Sequence, residues 1–390
     1  MIKKFIILIA LIVTLFYGCS EKISDPGAIL IPPTDNFDIV KFDSDSASIT
    51  FSAKSFRKEI DLGNAERVLF GKFGDIKSTV LIKFFLFQPD SINSYVQNDQ
   101  ISIVESWIDL PVNYVLGDST ASLTFTGHNI LNSWLAAGYN LDSLQTLNYD
   151  NANVVSVKED SDSLLSLNVD KNLTLNWLKS NAVDSLNLNN GLVLIPDDAN
   201  TKIVGFQGLT SSPEFDEPKM TIVYQTPSGV VDTIQGQVSG DVHVLSGNSS
   251  MDIADRIYLQ SGIALRSYFD FDSNVFPKDA VINKATLTFY IDSTASQYGS
   301  VLSDSIMVQT LSDSTTYEVN TSFRNLYLGK NGNSYSGEIS RTLQKWINGE
   351  DNQGLLLRLS DEKRTLNKVV LYGINSSQKP RLVVYYTDKK

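Results

Sequence analysis

The chain has 390 residues, 42% of them hydrophobic and 19% charged, with a formal net charge of −12 and one cysteine. Scattered acidity without a basic run argues against nucleic acid as a partner, because phosphate contacts need clustered Lys and Arg. One cysteine precludes an intramolecular disulfide, and two histidines, His128 and His243, leave little for Ser-His-Asp, Cys-His or transition-metal chemistry.

In chain order, Lys3 and Lys4 precede an apolar run from Phe5 to Tyr17, followed by Gly18 and Cys19. The run is shorter than the roughly 20 residues that span a bilayer, and its basic start predicts an export leader over residues 1–18. A cysteine directly after a small residue at the end of such a run resembles the lipobox of bacterial lipoproteins. That resemblance implies lipidation of Cys19, and Ser20 after it implies the outer membrane or cell surface, with the lipid anchor as the membrane contact. Residues 19–55 are rich in Asp, Ser and Pro and are expected to be a tether.

Beyond residue 55, short runs such as STVLIKFFLF, MTIVYQT and ATLTFYI alternate with Asn, Asp, Gly and Ser clusters, which is the pattern of strands and turns. The order LTLNWL, NNGLVLIP, KIVGF, PKMTIVY recurs as RTLQKWI, NQGLLLRL, KVVLYGI, KPRLVVYY, so one domain occurs twice. Gly191 matches Gly354, Pro218 matches Pro380, and TVLIKFFLF aligns with ALRSYFDFD. The expected fold is all-β: two tandem jelly-roll-like antiparallel β-sandwich domains with short helical caps, over residues 56–226 and 236–390. Leu287, Phe289 and Ile291 share one strand face, and Leu343, Trp346 and Ile347 lie at helical spacing suited to capping a sandwich end.

In the second copy, ALRSYFDFD, VINKATLTFYI, LQKWING, NQGLLLRLS and KPRLVVYY occur in one order that resembles a DNRLRE-type domain. That family is similar to carbohydrate-binding module family 96, and the resemblance implies a jelly-roll sandwich with polysaccharide as ligand. Tyr268-Phe269-Asp270 stands where the family has an Arg-Phe-Asp triplet, and the first copy has Lys83-Phe84-Phe85 there. The second domain is therefore the expected place for a ligand.

Sugar binding needs exposed rings beside hydrogen-bonding groups. Tyr290, Tyr298, Tyr317, Tyr327, Tyr335 and Trp134 are the candidates, each set against packing in a sandwich core. Calcium is the cation the chain could best serve with hard oxygen ligands, and Asp270 with Asp272 at a strand end is the candidate pair, against ordinary turn chemistry. No other cofactor is expected. The resulting expectation is a non-catalytic surface lipoprotein that binds a polysaccharide or envelope glycan, for capture or adhesion. The alternative is a structural spacer or protein-interaction module of the envelope without a glycan ligand.

Overall fold

The computed structural model describes residues 39–182, 189–209 and 216–388. Cys19 and the expected leader over residues 1–18 lie outside the described residues. The strands are β1 (Ile39–Asp43), β2 (Phe51–Arg57), β3 (Arg67–Phe73), β4 (Ile76–Leu86), β5 (Ser102–Gly117), β6 (Phe125–Asn129), β7 (Val155–Asp160) and β8 (Leu164–Val169). They continue as β9 (Leu192–Pro196), β10 (Lys202–Gln207), β11 (Lys219–Gln225), β12 (Val231–Ser246), β13 (Arg256–Gln260), β14 (Leu265–Phe271) and β15 (Val281–Tyr290). The remainder are β16 (Ser305–Asp313), β17 (Glu318–Val319), β18 (Leu326–Asn331), β19 (Ser334–Glu338), β20 (Leu355–Leu359), β21 (Lys368–Tyr372) and β22 (Arg381–Thr387).

The strands build two antiparallel sandwiches, as the alternation in the sequence requires. In β14, Leu265, Ser267, Phe269 and Phe271 point inward while Arg266, Tyr268 and Asp270 face out. Phe269 packs edge-on against Phe289 of β15 at 4.8 Å, and Phe271 meets Trp346 at 5.6 Å. Trp346 closes the second core from the helix Ser340–Ile347, and Trp177 does the same for the first core from the helix Lys171–Ala182. Burying one such aromatic contributes about 2–3 kcal/mol of transfer free energy.

The repeat is structural as well as textual. Gly191 and Gly354 both take left-handed backbone, at φ +80° and +83°, just ahead of β9 and β20. Asn189 and Asn352 each receive that glycine's N–H and donate to a carbonyl across the sheet, on Phe84 and Phe271 respectively. Phe84 therefore corresponds to Phe271, two residues from the match that the sequence strings suggest. A two-residue slip keeps every side chain on its own face, so alternation alone could not detect it.

Two expected boundaries are corrected by the strand pairing. The segment read as tether contributes β1 and β2, which pair with β22 and β14 of the second sandwich. Polar residues hid them: Asp43, Ser44 and Asp45 bind Arg381 and Leu382 across the strand gap instead of facing water freely. Conversely, β12 opens the span assigned to the second domain yet pairs with β11 and β4 of the first.

A third core joins the two sandwiches, with Leu69, Tyr114 and Ile203 packed against Tyr258, Leu265 and Val370. Buried hydrogen bonds reinforce it: Tyr114 Oη donates to Asn367 Oδ1 at 3.2 Å and accepts from Leu366 N at 3.1 Å. Ser300 N also donates to the Val115 carbonyl at 2.7 Å.

Candidate functional site

The rings nominated from sequence separate on burial. Tyr335 is fully buried and its hydroxyl donates to the Ser303 carbonyl at 2.6 Å, so it is a core residue and not a ligand platform. Trp134 is likewise withdrawn from solvent, donating to the Asn190 carbonyl at 2.7 Å beneath a depression of about 580 Å³. His128 is also buried, with its ring nitrogens on Ala152 O and Thr126 Oγ1. Tyr298 packs against the second core, and Tyr290 is half-buried beside Arg381. Tyr327 is exposed, and Tyr317 is half-buried on the surface.

Tyr317 has company. Its ring stacks on Phe56 with centroids 4.0 Å apart and planes 12° from parallel, and Tyr268 lies 6.0 Å from it at 46°. Three elements remote in sequence supply these rings. Phe56 comes from β2, Tyr268 from the outward face of β14, and Tyr317 from the turn after β16. That turn is shaped by Asp313, whose carboxylate accepts from Thr315 N and Thr315 Oγ1, both at 2.7 Å. Ser314 is held to Gln353 Oε1 through its hydroxyl at 3.0 Å. Tyr317 itself sits at φ +57°, a conformation costing a tyrosine about 1–3 kcal/mol, which the surrounding bonds offset.

Beside the rings lies a polar cleft of about 290 Å³, lined by Thr50, Ser52, Asp270, Asp272, Asn274 and Asn352. Asn352 Nδ2 donates to Asp270 Oδ1 at 2.9 Å. Burial raises the Asp270 pKa, against the lowering effect of its hydrogen bonds. The Tyr268 phenol is pushed up to about 12, by burial first and by the Asp270 charge second. The bare α-carbon of Gly354 admits the Tyr268 ring, since a Cβ there would stand 2.5 Å from Tyr268 Cε2.

Asp270 and Asp272 do meet in this cleft, but Asp272 Oδ1 is engaged with Asn274 N at 2.9 Å and Nδ2 at 3.0 Å. Among the described residues no group of three or more His, Cys, Asp or Glu could hold a metal ion. Both carboxylates thus accept hydrogen bonds from asparagine groups within the cleft. Sequence reading nominated Tyr317 and Asp270 but missed Phe56, Ser52 and Asn352. The Asn-x-Gly signal at Asn352 is available in the sequence, whereas Phe56 adjoins the segment 19–55 expected to be a tether.

The fold and the site define an all-β protein of two locked sandwiches with an aromatic and polar surface site on the second. No protein-family model matches the chain, and no curated protein matches it. Among solved structures it is similar to the C-terminal domain of the AgI/II polypeptide BspA of Streptococcus agalactiae, at 8% identity and a TM-score of 0.20, over 87% of this chain and 92% of that one. It is also similar to BcpA, the major pilin subunit of Bacillus cereus, at 10% identity and a TM-score of 0.18, over 75% of this chain and 56% of that one. Likenesses of this size carry no argument about function. No helix among the described residues is long and apolar enough to cross a membrane.

Proposed function

We propose that the chain is a non-catalytic, surface-displayed lipoprotein that binds a glycan on its second sandwich. The observation that carries this reading is the Phe56, Tyr317 and Tyr268 cluster beside the Asp270 and Asn352 cleft. Sugar rings pack their C–H faces on aromatics while their hydroxyls exchange water for carboxylate and amide partners, and this site offers both in a shallow, wet setting. The leader and Cys19 support display at the outer membrane or cell surface, and the DNRLRE-like strings support a polysaccharide ligand.

A glycan-array screen of residues 20–390 tests the reading, followed by titration of any hit against the Phe56→Ala and Tyr317→Ala proteins. Each truncation should weaken binding by about 1 kcal/mol, roughly fivefold, with the fold intact. A folded sample that binds no glycan, or a hit indifferent to both truncations, overturns it.

A second reading, a rigid envelope spacer without a ligand, is favoured by the third core. Two sandwiches sealed through Tyr114 and Tyr258 behave as one stiff body.

A further inference from the structure

Each sandwich is closed along one side by a strand that belongs, in chain order, to the other repeat. In the first sandwich β12 lies on β11, with Gln225 opposite Val231 and Thr221 opposite Gln235, and then continues onto β4. In the second, β1 lies on β22 in the same frame, with Thr387 opposite Ile39 and Val383 opposite Asp43, and β2 continues onto β14. Pro218 and Pro380 place β11 and β22 in register, so β12 and the pair β1–β2 are equivalent fillers. Yet β1–β2 directly precede β3 of the first sandwich, and β12 directly precedes β13 of the second. The chain is thus a reciprocal strand exchange closed within one molecule.

The two fillers are tied differently. The short turn after β11, in which Thr226 N donates to Val230 O at 2.9 Å, delivers β12 to its place, so that strand is local to its acceptor. The other filler comes from far away: Ser55 Oγ and Ser267 Oγ meet at 2.8 Å across 212 residues of sequence. Its grip on the second sandwich includes the ladder, the paired bonds of Arg381 to Asp43 at 3.0 and 2.6 Å, the bond of Leu382 N to Ser44 Oγ, and the seats of Phe42 on Phe276, Phe51 on Phe269 and Phe56 on Tyr317. On the outside β1 is open to solvent, with Ile39 68% exposed.

We propose that the cleft between β14 and β22 is a strand-acceptor site, and that its other occupant is residues 39–57 of a second copy of this chain. A donor from a neighbour restores the ladder that the resident strand makes, and the stretch at 58–61, ahead of the buried Leu62, changes its course. That connector is exposed at Lys58, Glu59 and Asp61, where it runs beside the one after β12, with Arg57 donating to Gly247 O at 3.2 Å, over a cavity of about 460 Å³, before Leu62 seats it in the third core. With the ladder and core contacts of residues 39–57 equal in the two forms, effective concentration weighs between closed monomers and joined copies. Crowding on a surface then favours joining.

Lys41 stands opposite Tyr385 on the outward side of the β1–β22 ladder, which gives the test its reporter. Full chains lacking Cys19 and carrying Lys41→Cys are mixed at high concentration with chains carrying Tyr385→Cys, cycled through partial denaturation, and oxidised, and the soluble fraction is sized. A disulfide-linked dimer is expected in that mixture and not when the partner carries Tyr327→Cys, an exposed position outside the pairing. A peptide of residues 38–58 with the same cysteine, added to the Tyr385→Cys chain without denaturation, should cross-link at the same site. The doubly substituted chain should close within itself, and its failure to do so would overturn the strand register. Intramolecular closure together with no trans product from either the mixture or the peptide would overturn exchange between copies.

Discussion

Replacing His243 should stabilise this protein, and the gain should grow in acid. The imidazole sits on β12 opposite Val80, is 1% exposed, and among the described residues neither ring nitrogen has a hydrogen-bond partner. Burial pushes its pKa down from 6.5 to about 3, because the charged ring would be stranded without water. A group lowered in this way contributes stability that is fully present above pH 6.5 and is lost as pH falls toward 3. From pH 7.5 to pH 5 the linkage relation gives a loss of about 2 kcal/mol from this residue alone. His243→Leu keeps the volume, removes two unsatisfied polar atoms, and should be more stable at pH 7.5 by about 1–2 kcal/mol. The advantage should widen by about the further 2 kcal/mol at pH 5. Urea melts of both proteins at half-unit steps of pH measure the difference, which cancels the titration of every other group. A variant less stable than the parent at pH 7.5, or a difference flat with pH, refutes the reasoning.

Asp241, two residues away, has the opposite sign: burial raises its carboxyl to about 6 from 3.8, so its favourable contribution is present below pH 3.8 and lost as pH rises through 6. Asp241→Asn should therefore stabilise at pH 7.5 by at most about 3 kcal/mol, less whatever the charged bond to Leu209 N supplies, and melts above and below pH 6 will show whether the gain fades in acid. Phe51→Ala, far upstream of the sandwich it serves, should cost about 3–5 kcal/mol, read as a fall in melting temperature. An unchanged melt would place β2 outside the folded core. Gly354→Ala should cost about 1–3 kcal/mol and displace the Tyr268 ring, visible as a change in tyrosine near-ultraviolet dichroism, because φ +83° and the 2.5 Å approach both exclude a Cβ.

Local chemistry was legible without coordinates. Alternation in β14 and β15, the helical spacing of Leu343, Trp346 and Ile347, and the Asn-x-Gly entries to β9 and β20 each express a preference of a few adjacent residues, and the structure keeps all of them. Long-range pairing was not legible in the same way. Asp43 and Ser44 read as solvated linker because their partners, Arg381 and Leu382, lie more than three hundred residues away. Tyr335 and Tyr317 look alike in the chain, and only the packing of the sheets sends one into the core and the other onto Phe56. Sequence by itself determined the strands within the two repeats, the repeat and the helical caps, since these follow from periodicity and turn chemistry within short windows. Tertiary structure decided which repeat each filler strand completes and which rings gather at the surface, since strand pairing satisfies backbone groups regardless of where in the chain the partner lies.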